Sequence, residues 1–285
     1  MTGAMTEHND DDTAREHPER WYAEKEFLLL LHRLRHLPPS ERAYLQGQFT
    51  LDLVNEPCVV DTSIGPLSFV LLGRASAGRA MSLLTKQPAT IHWIDAFQPE
   101  SVFWDVGANV GAYTVYAARR GAKVVAIEPA AVNLFLLAAN CEANRVDDRV
   151  QCLMLGLGNV TGVAQLDVSQ LMPAASFKFK GKGAQPLPTH QAALTISMDR
   201  LIEEYGVACP HYIKIDAPGF TEDIITGGAR TLQRPDVREL HIELREASKR
   251  GRRIADLLHG HGFEITGRDS HGGSTDVTFA RSTTR

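Results

Sequence analysis

Four carboxylates and one imidazole stand where apolar runs of this sequence end. Asp105 closes VFWD, Glu128 closes KVVAIE and Asp216 closes YIKID, while His241 and Glu243 alternate within LHIEL. An acid that ends a buried strand faces whatever lies beyond it, since a carboxylate left inside the core needs a partner. Such groups can bind a cationic or hydroxyl-bearing ligand, take a proton in a transition state, or hold a hard cation. Glycines gather beyond the first of them, in Asp105-Val106-Gly107-Ala108-Asn109-Val110-Gly111. Glycine there lets the backbone approach a ligand and lets a helix start close to a sheet.

The elements that must position these groups alternate. From residue 101, strand-like runs at VFWDVG, KVVAIEP, VQCLMLGLGN, YIKIDAP and ELHIEL alternate with helical stretches near 111–120, 131–144, 221–233 and 248–260. FEITGR and DVTFAR close the chain as strands. That order predicts a parallel sheet with helices on both faces and a ligand beyond the carboxyl ends of its strands. Upstream, residues 20–37 are helix-like as far as Pro38-Pro39, with Phe27, Leu30, Leu31, Leu34 and Leu37 expected to pack on the main domain. Residues 49–73 read as short antiparallel strands and 75–97 as helical. The expected division is an acidic tail without fixed structure over 1–19, a cap over 20–97 and the main domain over 98–285.

The loop after Asp105 is G-x-x-x-G, not the G-x-G-x-x-G that seats a pyrophosphate. A carboxylate two residues before its first glycine suits a cationic ligand group. Glu128, at the next strand end, is placed to take both ribose hydroxyls, and Pro129 then turns the chain. A ligand with a ribose, a positive amine and no phosphate fits both features. S-adenosylmethionine (SAM) is such a ligand.

These residues resemble the FkbM-type methyltransferase domain. Its pattern of D-V-G-A-N-x-G-x-Y, E-P, S/T-L-D and K-I-D-V-E-G-x-E is similar to this chain at Asp105 to Asn109, Gly111, Glu128-Pro129, Ser197-Met198-Asp199 and Lys214-Ile215-Asp216. The resemblance implies an α/β fold, a Rossmann-like class I methyltransferase sheet that is mostly parallel with a reversed last strand, here with an N-terminal α+β cap. It also implies SAM as donor and a hydroxyl of a sugar, polyketide or related metabolite as acceptor. Carried over by position, Asp105, Gly107 and Asn109 line the methionine end, beside Gly111. Glu128 holds the ribose, and Leu157 lies near the adenine.

The chain departs from the pattern after Asp216, where V-E-G-x-E becomes Ala217-Pro218-Gly219-Phe220-Thr221. Glu222 and Asp223 are the nearest replacements for the lost glutamates. Methyl transfer from a sulfonium is an in-line displacement, and a hydroxyl acceptor must lose its proton or be activated by a metal. Asp216 is expected beside the donor methyl, with His241 and Glu243 on one strand face by period two as further candidate bases. Asp216 with Glu243 could instead hold Mg²⁺. Asp199 reads as a helix N-cap, and Lys214 as a long stem carrying its charge to a sheet edge. SFKFKGKG, 176–183, reads either as a hairpin tip or as a cover for an anionic or sugar acceptor, and EASKRGRR, 246–253, as an exposed helix start.

Net charge is −4, so nothing pulls the chain generally toward nucleic acid or membrane. The D/N-P-P-Y/F signature of base methylation is absent, and Gly219 stands where an RNA cytosine methyltransferase carries its nucleophilic Cys. Four cysteines without a CxxC pair suit a reducing compartment, and FLLLL at 27–31 is too short to span a bilayer, so a soluble, cytoplasmic protein is expected. The function expected is O-methylation of a small molecule or glycan. The alternatives are a nucleic-acid methyltransferase and a SAM-binding module without catalysis. The cap is expected to help close the acceptor pocket or to mediate contact in a homodimer.

Overall fold

The computed structural model describes residues 18–168, 177–179, 189–271 and 274–282. The expected unstructured tail over 1–19 lies outside them except for its last two residues, which open a helix. Most of SFKFKGKG also lies outside them.

Two compact units divide the chain, residues 1–55 and 56–285. The first holds α1 (Pro18–Arg35) and α2 (Pro39–Asn55). Pro39 opens α2, where its missing N–H has no helical partner to lose. Phe27 and Leu30, expected in a packed stripe, are 51% and 43% exposed. Residues 49–54, expected as strand, are helix. Phe49 and Leu53 are also four apart, so the same run fits a helical face.

In the second unit, β1 (Cys58–Val60) and β2 (Leu67–Phe69) pair antiparallel as their alternation predicts. The helices α3 (Arg74–Met81) and α4 (Pro88–Asp95) follow. These elements do not form a separate cap with the N-terminal helices, and the boundary falls at 55/56 instead of 97/98. The reason is shared burial: Leu67, Phe69, Leu83 and Ile94 lie in one apolar cluster with Phe103, Val124 and Ala126 of the main sheet.

The alternating part of the chain runs β3 (Val102–Val106), α5 (Ala112–Arg119), β4 (Lys123–Ile127), α6 (Ala131–Ala143) and β5 (Val150–Leu153). Next come β6 (Gly156–Leu157), β7 (Gly162–Val168), β8 (Phe177–Phe179), β9 (Thr189–Ile196) and α7 (Met198–Tyr205). The last part is β10 (Tyr212–Ile215), α8 (Thr221–Gly227), β11 (Glu239–Leu244), α9 (Lys249–Gly260), β12 (Phe263–His271) and β13 (Ser274–Arg281). Seven strands form one sheet in the order β12-β13-β11-β10-β3-β4-β5. β11, β10, β3, β4 and β5 are parallel, and β13 is reversed between β11 and β12. This is the expected mostly parallel α/β sheet, and its order reverses at the β3–β10 pair, where a crevice forms. A second sheet, β6-β9-β7-β8, is the part the sequence reading did not foresee.

Both faces of the main sheet are buried. Val102, Trp104, Val106, Val125, Ile127, Ile213 and Ile215 face one apolar cluster. Phe103, Val124, Ala126 and Tyr212 face the other. On that second face a polar row crosses four strands in register: Asp105 opposite Lys214, Lys214 opposite His241, His241 opposite Thr278. Glu243 and Asp276 pair two residues farther along β11, about 7 Å nearer the strand ends. Among the described residues no helix is long and apolar enough to cross a membrane.

Candidate functional site

The crevice is shaped first by backbone. Gly107 has φ +80°, and its N–H and that of Ala108 both donate to the Ile127 carbonyl, at 2.9 and 3.1 Å. A Cβ at Gly107 would run into the carbonyl oxygen of Asp216, so glycine alone lets the ends of β3 and β10 close up. Asn109 is left-handed too, with φ +54°, and its N–H donates to Glu128 Oε2 at 2.9 Å. Gly111, with φ +81°, starts α5 against Leu137.

Glu128 is 4% exposed. Its Oε1 accepts from the Ala130 N–H at 2.9 Å. Burial pushes its carboxyl up to about 7, against the opposing hydrogen bonds from Ala130, Asn109 and Asn133. Each carboxylate oxygen has two lone pairs, so acceptor capacity remains for ligand hydroxyls.

Beyond the strand ends lies a cavity of about 710 Å³, within the range of small-molecule sites. Gly107, Asn109, Glu128, Leu157, Asp216 and Glu243 line it. The residues present fit SAM: a glycine cradle that a Cβ would fill, a carboxylate with acceptor capacity at the second strand end, and Leu155 and Leu157 as apolar wall.

Asp105 is not in that lining. It is 1% exposed, and its Oδ2 accepts from the Thr114 hydroxyl at 2.7 Å. Its Oδ1 has no hydrogen bond but lies 3.7 Å from Lys214 Nζ. The charge of Lys214 therefore does not reach a sheet edge. Its ammonium is buried, also 3.7 Å from Asp216 Oδ2, and lies over the Tyr113 ring. Burial alone would lower the Lys214 amine, but Asp216, then Asp105 and Asp276, outweigh it and hold it above its ordinary value. Burial also raises Asp105, against the pull of Lys214 and Thr114. The two directions oppose each other across one contact; we take Lys214 as protonated, because two carboxylates face it.

Asp216 and Glu243 reach the cavity, and His241 does not. His241 is 2% exposed, stacked on Trp93 at 4.8 Å, with ring nitrogens 3.0 Å from the Thr90 and Thr278 hydroxyls. Period two correctly puts it on the face of Glu243, but one register row deeper. Asp199 is not the N-cap of α7. Ser197 takes that place, accepting from the Arg200 N–H, while Asp199 accepts from Thr231 N–H and hydroxyl, both at 2.7 Å. Pro218, Gly219 and Phe220 line the cavity, but Glu222 pairs with Arg250 and Arg253, and Asp223 accepts from Asn159. Among the described residues no group of three or more His, Cys, Asp or Glu side chains gathers to hold a metal ion.

Sequence reasoning passed over Arg79, Lys86 and Arg245, and read Arg250 only within an exposed helix start. Arg79 of α3, Arg245 after β11 and Arg250 of α9 line the cavity, and Lys86 stands in an adjoining chamber. The available signal was the spacing of Arg79 and Lys86, seven residues apart in a stretch read only as part of a cap.

Residues 105–265, more than half of the chain, match the family model of the methyltransferase FkbM domain. The hexuronic acid methyltransferase AglP of Haloferax volcanii is 24% identical over 180 residues, 63% of this chain and 72% of that protein. The 31-O-demethyl-FK506 methyltransferase FkbM of Streptomyces tacrolimicus is 27% identical over 194 residues, 59% of this chain and 74% of that protein. Among solved structures, Aeropyrum pernix fibrillarin with bound S-adenosyl-L-methionine aligns with a TM-score of 0.46 at 12% identity, covering 78% of this chain and 93% of that one. The match across β3 to β12 makes this chain a member of the FkbM methyltransferase domain family.

Proposed function

We propose that this protein transfers the methyl group of SAM to a hydroxyl oxygen of a small molecule or glycan. The observation that carries the reading is the placement of Asp216 and Glu243 on the cavity that also holds Gly107, Asn109 and Glu128. Two relatives named for hexuronic acid and for 31-O-demethyl-FK506 support an acceptor of that class. When bound, SAM supplies an electrophilic methyl on a sulfonium, open to in-line displacement by an oxygen.

The chain's own residues divide the remaining work. Glu128 accepts the ribose hydroxyls, and Leu157 covers the purine. Gly107 and Asn109 border the amino-acid tail. Asp105 acts from behind, by fixing Lys214. Lys214 in turn fixes Asp216, which orients the acceptor hydroxyl. The Glu243 carboxylate has no ion pair or hydrogen bond among the described residues, and it takes the hydroxyl proton as general base. Asp216 and Glu243 are also the carboxylates a hydrated Mg²⁺ would use, but the Lys214 ammonium already competes for Asp216.

The test is transfer from methyl-labelled SAM to a panel of sugars, glycolipids and polyketides, with Mg²⁺ or with EDTA. The reading predicts a labelled methyl ether that persists in EDTA and is lost in Glu243→Gln. Binding of S-adenosylhomocysteine (SAH) without transfer to any hydroxyl would favour a non-catalytic module.

A further inference from the structure

Beside the main cavity a smaller chamber of about 30 Å³ opens between the loop after β3 and the segment following α3. The two spaces share Arg79, Gly107, Asn109 and Asp216. Lys86, Lys214 and Tyr113 line the chamber and not the main cavity. One water needs about 10–15 Å³ of such volume, so the chamber suits a group the size of a carboxylate and is far too small for a sugar ring.

Hydrogen-bonded turns bring Lys86 there, with Ser82 N–H donating to Gly78 O at 3.1 Å and Lys86 N–H to Ser82 O at 2.9 Å. Arg79 and Lys86 thus end on one small space. The third cation, Lys214, is held by Asp105 and Asp216. Arg79 and Lys86 have no hydrogen-bonded or ion-paired side-chain partner among the described residues. Burial, and then the repulsion of Arg79, lowers the Lys86 amine below its ordinary range despite the pull of Asp216 and Glu243. Two like charges held together at a partly covered space cost free energy that a bound anion offsets.

We infer that Arg79 and Lys86 form a carboxylate subsite, and that it takes the α-carboxylate of the donor's amino-acid tail. Gly107 and Asn109 border both spaces, between Glu128 on one side and the chamber on the other. A nucleoside held at Glu128 with its tail along these two residues ends at the cation pair. The inference rests on the SAM reading. It extends the donor site to α3 and the turn after it, outside the residues 105–265 that match the family. An acceptor carboxylate is the other source of the same chemistry.

Calorimetric titration of SAH and of its decarboxylated analogue, identical but for the missing carboxylate, separates these sources. Wild type should prefer SAH by roughly 10- to 100-fold, the worth of charge-assisted hydrogen bonds. In the folded double variant Arg79→Gln/Lys86→Gln that preference should fall to near one, while the analogue's affinity stays within about threefold. A preference near one in wild type, or one that survives the double variant, overturns the inference. Loss of glucuronate binding with the SAH preference intact also overturns it, by assigning the pair to the acceptor. If SAH does not bind wild type at all, the donor reading itself fails. The charge-preserving variant Arg79→Lys/Lys86→Arg should keep the preference, which a merely structural role would not require.

Discussion

Glu128 accepts two backbone N–H groups and still sits near 7, because burial outweighs them. If its ionised form is the one that takes ribose hydroxyls, SAH should bind about tenfold more weakly at pH 6 than at pH 8, measured by calorimetry. The same shift affects stability. The folded value lies above the unfolded 4.5, so this group's contribution is complete below pH 4.5 and is lost as pH rises through about 7. Lys214 presents the opposite case, a buried cation between two carboxylates. Lys214→Met leaves Asp105 buried without a counter-charge, and should cost about 3–5 kcal/mol in urea denaturation.

Strand ends and turns position these groups, and much of that was legible in the sequence. VFWDV, KVVAI and YIKI are apolar but for one charged residue each, because both faces of a parallel strand are covered. The acids that follow two of them, Glu128 and Asp216, therefore marked the crevice, whereas Asp105 lies behind it against Lys214. Gly107 was legible as a close approach, and the partner it approaches is the carbonyl of Asp216. Gly107→Ala should force β3 and β10 apart, lower the melting temperature and weaken SAH binding by about 100-fold or more, since the strain falls on a left-handed backbone. What could not be read was register. Lys214 meets Asp105 only because β10 pairs with β3, a contact between residues more than a hundred apart. Periodicity gives the face of His241 but not its depth, and depth decides that Glu243 reaches the cavity while His241 packs on Trp93.

At the scale of the molecule, every described residue that lines the cavity lies in the second unit, residues 56–285. Removing residues 1–55, which supply none of the described lining, should therefore leave SAH affinity within about twofold. Loss of SAH binding on that truncation would contradict the division. The segment from β1 to α4 has the opposite status, since its apolar side chains share the sheet's core, and deleting it should unfold the protein. The central claim is that the carboxylates at the ends of β10 and β11 act on an acceptor hydroxyl beside bound SAM. Its most direct test is the single-turnover rate of methyl transfer by Asp216→Asn, measured together with SAH affinity. The account predicts a rate about 100-fold lower, with affinity within about threefold of wild type. A wild-type rate in that variant would contradict it.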